Sequence, residues 1–147
     1  MRPFTFVGIL LPLIVPPVAF FFCSLAAGMA IPETLAAVGE QYATRRQNLL
    51  LSALPGFFPV MLLHLVLFIM RRRHVPSPTR QRMAWTGLAT IAAVLIWVNL
   101  QFWPLFLPDR VYPGFPHGLE FIIGPFLFAP GLMLVTLAST WMINRRG

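Results

Sequence analysis

Four long apolar stretches constrain what this chain can fold into. They cover residues 4–30, 49–70, 84–106 and 119–143 and are 27, 22, 23 and 25 residues long. A helix needs about 20 apolar residues to cross the hydrocarbon core of a bilayer, so each stretch can span a membrane. Too few residues remain for a separate soluble domain. The sequence therefore predicts an all-α membrane protein, with residues 1–147 forming one bundle of four transmembrane helices joined by short loops.

Composition points the same way. Hydrophobic residues make up 58% of the chain and charged residues only 10%, whereas soluble domains carry about a quarter charged residues. The formal net charge of +7 comes from 11 arginines, with no lysine. Such a charge on a soluble protein would suggest nucleic acid as a partner. Here the arginines flank the apolar stretches, so we expect a lipid bilayer as the partner and no nucleic acid.

The arginines also predict how the chain is oriented. Residues 71–83 hold five arginines and no acid, and four spans place this segment on the same side as both termini, which gives that side eight arginines. Because positively charged segments stay in the cytoplasm, both termini are predicted to be cytoplasmic, in a bacterial inner membrane. The opposite side holds the remaining charged residues: Glu33, Glu40, Arg45, Arg46, Asp109, Arg110 and Glu120.

The first stretch has two possible interpretations. It follows Arg2 and ends in small residues, as does a signal peptide, which would here be cleaved after Ala30. The apolar core of a signal peptide is usually about 7–15 residues long, and this one is much longer. We therefore expect a retained first helix.

Prolines well inside three of the four stretches predict bent helices, since proline removes a backbone donor and clashes with the preceding turn. Either the bundle tolerates the bends, or they act as hinges beside a cavity. These prolines are Pro12, Pro16, Pro17, Pro55, Pro59, Pro125 and Pro130.

Small residues at helical spacing predict where the helices pack closely. Gly28 follows Ser24 by four residues, and Gly56 follows Ser52 by four. In the fourth stretch Gly124 and Gly131 are seven residues apart, which would place both on one face of an α-helix. We expect all four glycines to lie at helix contacts.

The first outer segment, residues 31–48, predicts a further helix. Leu35, Val38 and Tyr42 fall on one face, which is typical of an amphipathic helix lying on the outer leaflet. The segment could instead extend the second span. Its charged residues, with Asp109 and Arg110 of the second outer loop, are the predicted partner contacts.

Few polar side chains lie inside the predicted spans. His64 either relays protons or forms a hydrogen bond to a neighbouring helix. Asn99 and Gln101 point to opposite sides of one helix. We expect Asn99 to face the bundle and Gln101 to face headgroups, beside Trp103 as an interfacial anchor.

His117 and Glu120 lie at the outer mouth of the fourth span and are three residues apart. Di-iron bundles use two Glu-x-x-His sets and two further glutamates, and this chain has one pair in reversed order. An acid in the first turn of a helix is stabilised by the helix dipole. We therefore interpret the pair as the boundary of a span, and expect no metal and no cofactor.

Known catalytic motifs are absent from the sequence, which makes an enzyme acting on lipid or quinone the least favoured class. In size, span number and lack of such motifs, the chain resembles the polytopic inner-membrane immunity proteins that protect bacteria from secreted pore-forming effectors. Its length and four spans are also similar to DoxX-type membrane proteins, although none of their motifs is present. The first resemblance implies a protein that binds and neutralises a membrane-acting partner. A subunit of an oligomeric channel or transporter is the alternative.

Overall fold

The computed structural model describes residues 2–103 and 119–146, and the regular elements in these two ranges are helical. They are α1 (Arg2–Ala26), α2 (Ile31–Ala43), α3 (Arg46–Arg72), α4 (Ser77–Phe102), α5 (Glu120–Ile123), a π-helical turn (Gly124–Phe128) and α6 (Ala129–Arg146). Four segments are long and apolar enough to cross a membrane: Phe4–Ala26, Leu50–Arg72, Ser77–Phe102 and Gly124–Ile143. The predicted all-α protein with four such helices is confirmed.

The central helix of the bundle is α4, which packs against α1, α3 and α6. Half of its span is buried, against 22% of the fourth span. The bundle end at residues 73–76 is here named the linker end, and the opposite end, which holds α2, is named the α2 end. One buried apolar cluster lies towards each end, around Leu63 and Ile91 and around Phe20 and Val98.

The connection between α3 and α4 is shorter than the basic segment 71–83 suggests, because both of its ends are helical. Only residues 73–76 separate the two helices. His74 takes a left-handed conformation with φ 56°, and the Val75 N–H donates to the Met70 carbonyl at 3.1 Å. Pro78 then lies in the first turn of α4, where its missing N–H costs nothing.

The glycines predicted to mark helix packing fall into two groups. A Cβ at Gly56 would lie 3.0 Å from the Pro12 Cβ, and one at Gly124 would overlap the Val98 side chain. By contrast, a Cβ at Gly131 would have nothing within 4 Å. The seam predicted through Gly124 and Gly131 therefore does not continue to Gly131. The π turn between them holds more residues than an α turn, so a spacing of seven no longer keeps two residues on one face.

The π turn itself closes with a hydrogen bond from the Ala129 N–H to the Gly124 carbonyl. Pro130 follows directly. In a regular α-helix its ring would clash with the carbonyl of Phe126, four residues earlier. The wider turn is a way to place a proline here without ending the helix.

Gly28 allows a left-handed backbone conformation and does not lie at a helix contact. It has φ +90°, and a Cβ added there would have nothing within 4 Å. The Met29 N–H donates to the Ser24 carbonyl at 3.2 Å, which is the hydrogen bond of a Schellman cap. Glycine at this position ends α1 and lets the chain turn into α2.

Candidate functional site

Residues 31–43 form a separate helix, α2, and are not an extension of α3. Its start is fixed by the Glu33 carboxylate, which accepts a hydrogen bond from the Ala30 N–H at 3.2 Å. Its end is marked by Thr44, whose hydroxyl donates to the Glu40 carbonyl at 2.8 Å. α2 contacts α1 and α3. It therefore folds back onto the end of the bundle.

Three different faces run along α2. Thr34 and Gln41 are buried against the rest of the protein. Ile31, Leu35 and Tyr42 form an apolar ridge with exposed fractions of 60%, 59% and 49%. Val38, the third member of the predicted apolar face, is partly buried against the cluster around Phe20. The acidic face carries Glu33 and Glu40, which are exposed and lie two helical turns apart. The side of α2 that meets the bundle thus combines the uncharged polar residues Thr34 and Gln41 with the apolar residues Ala37 and Val38.

Three buried polar atoms at the α2 end have no hydrogen-bond partner within the described part of the chain. They are Ser24 Oγ on α1, and Thr34 Oγ1 and Gln41 Oε1 on α2. A buried polar group without a partner costs roughly 1–3 kcal/mol. We therefore expect the seam between α2 and the bundle to be weaker than its extent of burial suggests.

The predicted partner-contacting charges can be placed only in part. Glu33, Glu40, Arg45 and Arg46 are all exposed, on α2 and at its junction with α3. These four share one end of the bundle. Asp109 and Arg110 lie outside the described residues, as does His117.

Asn99 and Trp103 form a buried polar pair on α4. The Trp103 indole N–H donates to Asn99 Oδ1 at 3.0 Å, and Asn99 Nδ2 donates to the Leu95 carbonyl at 2.9 Å. Asn99 faces the interior, as expected. Trp103, expected as an interfacial anchor, is instead fully buried, with its ring edge-on to Phe20 at a centroid distance of 5.1 Å. A hydrogen-bond partner four residues earlier explains how the indole can lie inside.

His64 lies in the half of α3 near the linker end. Its Nδ1 is 2.9 Å from the Val60 carbonyl, and because a carbonyl only accepts, Nδ1 carries the proton. The hydrogen bond is therefore made to its own helix and not to a neighbouring one. Its Nε2 is buried, with no hydrogen-bond partner among the described residues. The ring packs against Phe4 at a centroid distance of 5.0 Å.

The other predicted polar positions lie at helix ends. Gln101 is partly exposed in the last turn of α4, and Glu120 is the first residue of α5. Among the described residues, no group of three or more histidine, cysteine, aspartate or glutamate side chains could hold a metal ion.

Sequence reasoning overlooked two close helix contacts. A Cβ at Gly87 would lie 2.8 Å from a Leu63 methyl group, and one at Gly8 would lie 3.2 Å from Val60. Neither glycine has a small residue four positions away that would have marked it in the sequence.

The chain was compared with protein-family models, with curated proteins and with solved structures, and none of the three comparisons found a match.

Proposed function

We propose that this chain is a small polytopic protein of the bacterial inner membrane that binds and neutralises a membrane-acting partner, as an immunity protein does against a secreted effector. The observation that carries the proposal is α2. A helix of 13 residues folded onto one end of the bundle is more than a connection between two spans requires. Its exposed acidic face offers charge to a partner, and its apolar ridge can hold the helix at the membrane surface.

The fourth span supports the same proposal. Only 22% of it is buried, and its exposed apolar side chains are available to lipid or to the helix of a partner. These include Leu127, Leu132, Leu134, Val135 and Ile143. A protein that blocks assembly of a pore needs such a free helix face, because buried apolar contacts carry most of the affinity of an interface.

The orientation that we propose places both termini and the linker end in the cytoplasm, from the distribution of the arginines. α2 then lies in the outer leaflet, with its apolar ridge in lipid and Glu33 and Glu40 in water. A secreted effector would meet this surface first. We also propose that the prolines within α1, α3 and the fourth span bend these helices.

Survival of cells tests the proposal. The candidate effector is the product of the neighbouring gene, and it is directed to the periplasm. The cells either lack this chain or express the wild type, the double variant Glu33→Lys/Glu40→Lys, or the control Arg73→Gln at the linker end. Membrane levels of each protein are measured in parallel. The wild type and the control should protect, and the double variant should protect only partly, because rim charges mainly set selectivity and encounter rate. Equal survival of cells that lack the protein would refute immunity.

The alternative function is a subunit of a channel or transporter. The buried Nε2 of His64, which has no hydrogen-bond partner among the described residues, favours it. An ionisable side chain inside a membrane marks a functional site by default. We expect His64→Gln to retain protection, because glutamine keeps a polar group at this position and the proposed function needs no proton transfer. Loss of activity at a normal membrane level would favour transport instead.

A further inference from the structure

Two recesses at the linker end flank the indole of Trp85. The first is a cavity of about 170 Å³ between α1, α3 and the first turns of α4. It is lined by Phe4, Leu67, Ser77, Arg80, Gln81, Ala84 and Trp85. The second is an open groove of about 600 Å³ between α4 and α6. Gln81 and Trp85 line both recesses.

Each recess is lined by apolar side chains and an arginine. Phe4, Leu67 and Arg80 line the first, and Ile143 and Arg82 line the second. In each recess an arginine therefore lies beside apolar side chains, near the end of a membrane-spanning helix. A ligand that fits both features has an apolar body and an anionic head.

The charge around the recesses is positive. Residues 71–83 contain five arginines and no acid, and Glu33 and Glu40 lie on α2 at the opposite end of the bundle. The first turn of α4 adds partial positive charge from its amide groups. Pro76 precedes this turn, and its apolar side chain cannot accept a hydrogen bond from the N–H groups of the turn.

We propose that this end of the protein binds one anionic diacyl phospholipid specifically. The phosphate lies beside Arg80, Gln81 and the first turn of α4. The two acyl chains pass on either side of Trp85, with one chain in each recess. Arginine suits this role because its planar guanidinium can donate two hydrogen bonds to one phosphate. This site lies at the opposite end from α2 and does not depend on the proposed partner.

Native mass spectrometry of the full chain in detergent tests the proposal. Phosphatidylglycerol and phosphatidylcholine with identical acyl chains are titrated separately into the wild type, Arg80→Gln and Ala84→Leu. Arg73→Gln is the matched control, since Arg73 is exposed in the same basic segment but lines neither recess. Thermal unfolding without added lipid checks that every variant is folded.

The wild type should bind phosphatidylglycerol more tightly than phosphatidylcholine. Arg80→Gln should weaken phosphatidylglycerol binding about fivefold, the loss expected for one arginine at an anionic surface. It should weaken phosphatidylcholine binding clearly less, because the choline ammonium already offsets the charge of that phosphate. Ala84→Leu fills the first recess and should weaken binding of both lipids. Arg73→Gln should have a clearly smaller effect than Arg80→Gln.

Three results would overturn the proposal. Equal losses in Arg80→Gln and Arg73→Gln would mean that the basic segment attracts lipid only diffusely. Equal affinity for the two lipids would exclude recognition of the anionic head. Displacement of phosphatidylglycerol by millimolar glycerol phosphate alone would mean that the site recognises a free phosphate and not a lipid.

Discussion

At the scale of single residues, the hydrogen bond between Asn99 and Trp103 fixes an amide and an indole inside the bundle. Asn99→Leu keeps a similar volume but removes the oxygen that accepts the hydrogen bond from the buried indole N–H. We expect it to lower the free energy of unfolding by about 1–3 kcal/mol, measured by denaturation in detergent. Trp103→Phe serves as the second arm of a double-mutant cycle. If the losses of the two single variants simply add in the double variant, the pair is not coupled, contrary to this account.

Gly124 and Gly131 should respond differently to the same substitution. A Cβ at Gly124 overlaps Val98, whereas one at Gly131 meets open space. Gly124→Ala should therefore destabilise the protein by about 1–3 kcal/mol through overpacking. Gly131→Ala should be neutral or stabilise it by up to about 1 kcal/mol, because alanine favours the helix.

The two alanine variants are compared by thermal unfolding in the same detergent, so each is the other's control. Similar destabilisation of both would contradict the contacts described here. A larger residue at Gly131 then addresses function: if Gly131→Leu folds normally but fails to protect cells, this face of α6 contacts the partner.

At the scale of elements, the seam beneath α2 is stabilised less than its burial suggests. Thr34→Val removes a buried hydroxyl that has no partner among the described residues and keeps the shape of the side chain. We expect an increase of about 1 kcal/mol in the free energy of unfolding. The control is Thr44→Val at the far end of α2, where the exposed hydroxyl already bonds the Glu40 carbonyl. A stabilisation no larger than that of the control would show that the Thr34 hydroxyl is satisfied.

The four spans and the separate helix α2 were predictable because both depend on local properties of the sequence. The spans depend on apolar length, and α2 depends on helical periodicity. The inward direction of Asn99 also followed from periodicity. The burial of Trp103 did not, because indole at the end of a span is usually an anchor, and only the fold supplies its partner. Because of the π turn, Gly124 and Gly131 do not share one helix face, although their spacing of seven residues predicts that they would. Spacing alone also could not identify Thr34 and Gln41 as the side of α2 that meets the bundle.

At the scale of the whole molecule, the two ends of the bundle differ in chemistry. The linker end carries the arginine-rich connection and the two recesses beside Trp85. The α2 end carries a surface helix with exposed acids and a polar seam beneath it. The proposed functions divide in the same way, with lipid at one end and the partner at the other. Because a secreted effector can reach only the outer surface of the membrane, recognition through α2 requires that α2 lies outside.

Cysteine labelling in intact cells measures this requirement directly. Single cysteines are introduced at Gly39, where a Cβ meets open space, and at Ser77, which is exposed at the start of α4. Both are made in a Cys23→Ala background, so that the buried native thiol does not contribute. A membrane-impermeant maleimide should label residue 39 in intact cells, and residue 77 only after the cells are lysed. Labelling of residue 77 but not residue 39 in intact cells would mean that the bundle has the opposite orientation. That result would contradict the proposed recognition of a secreted effector.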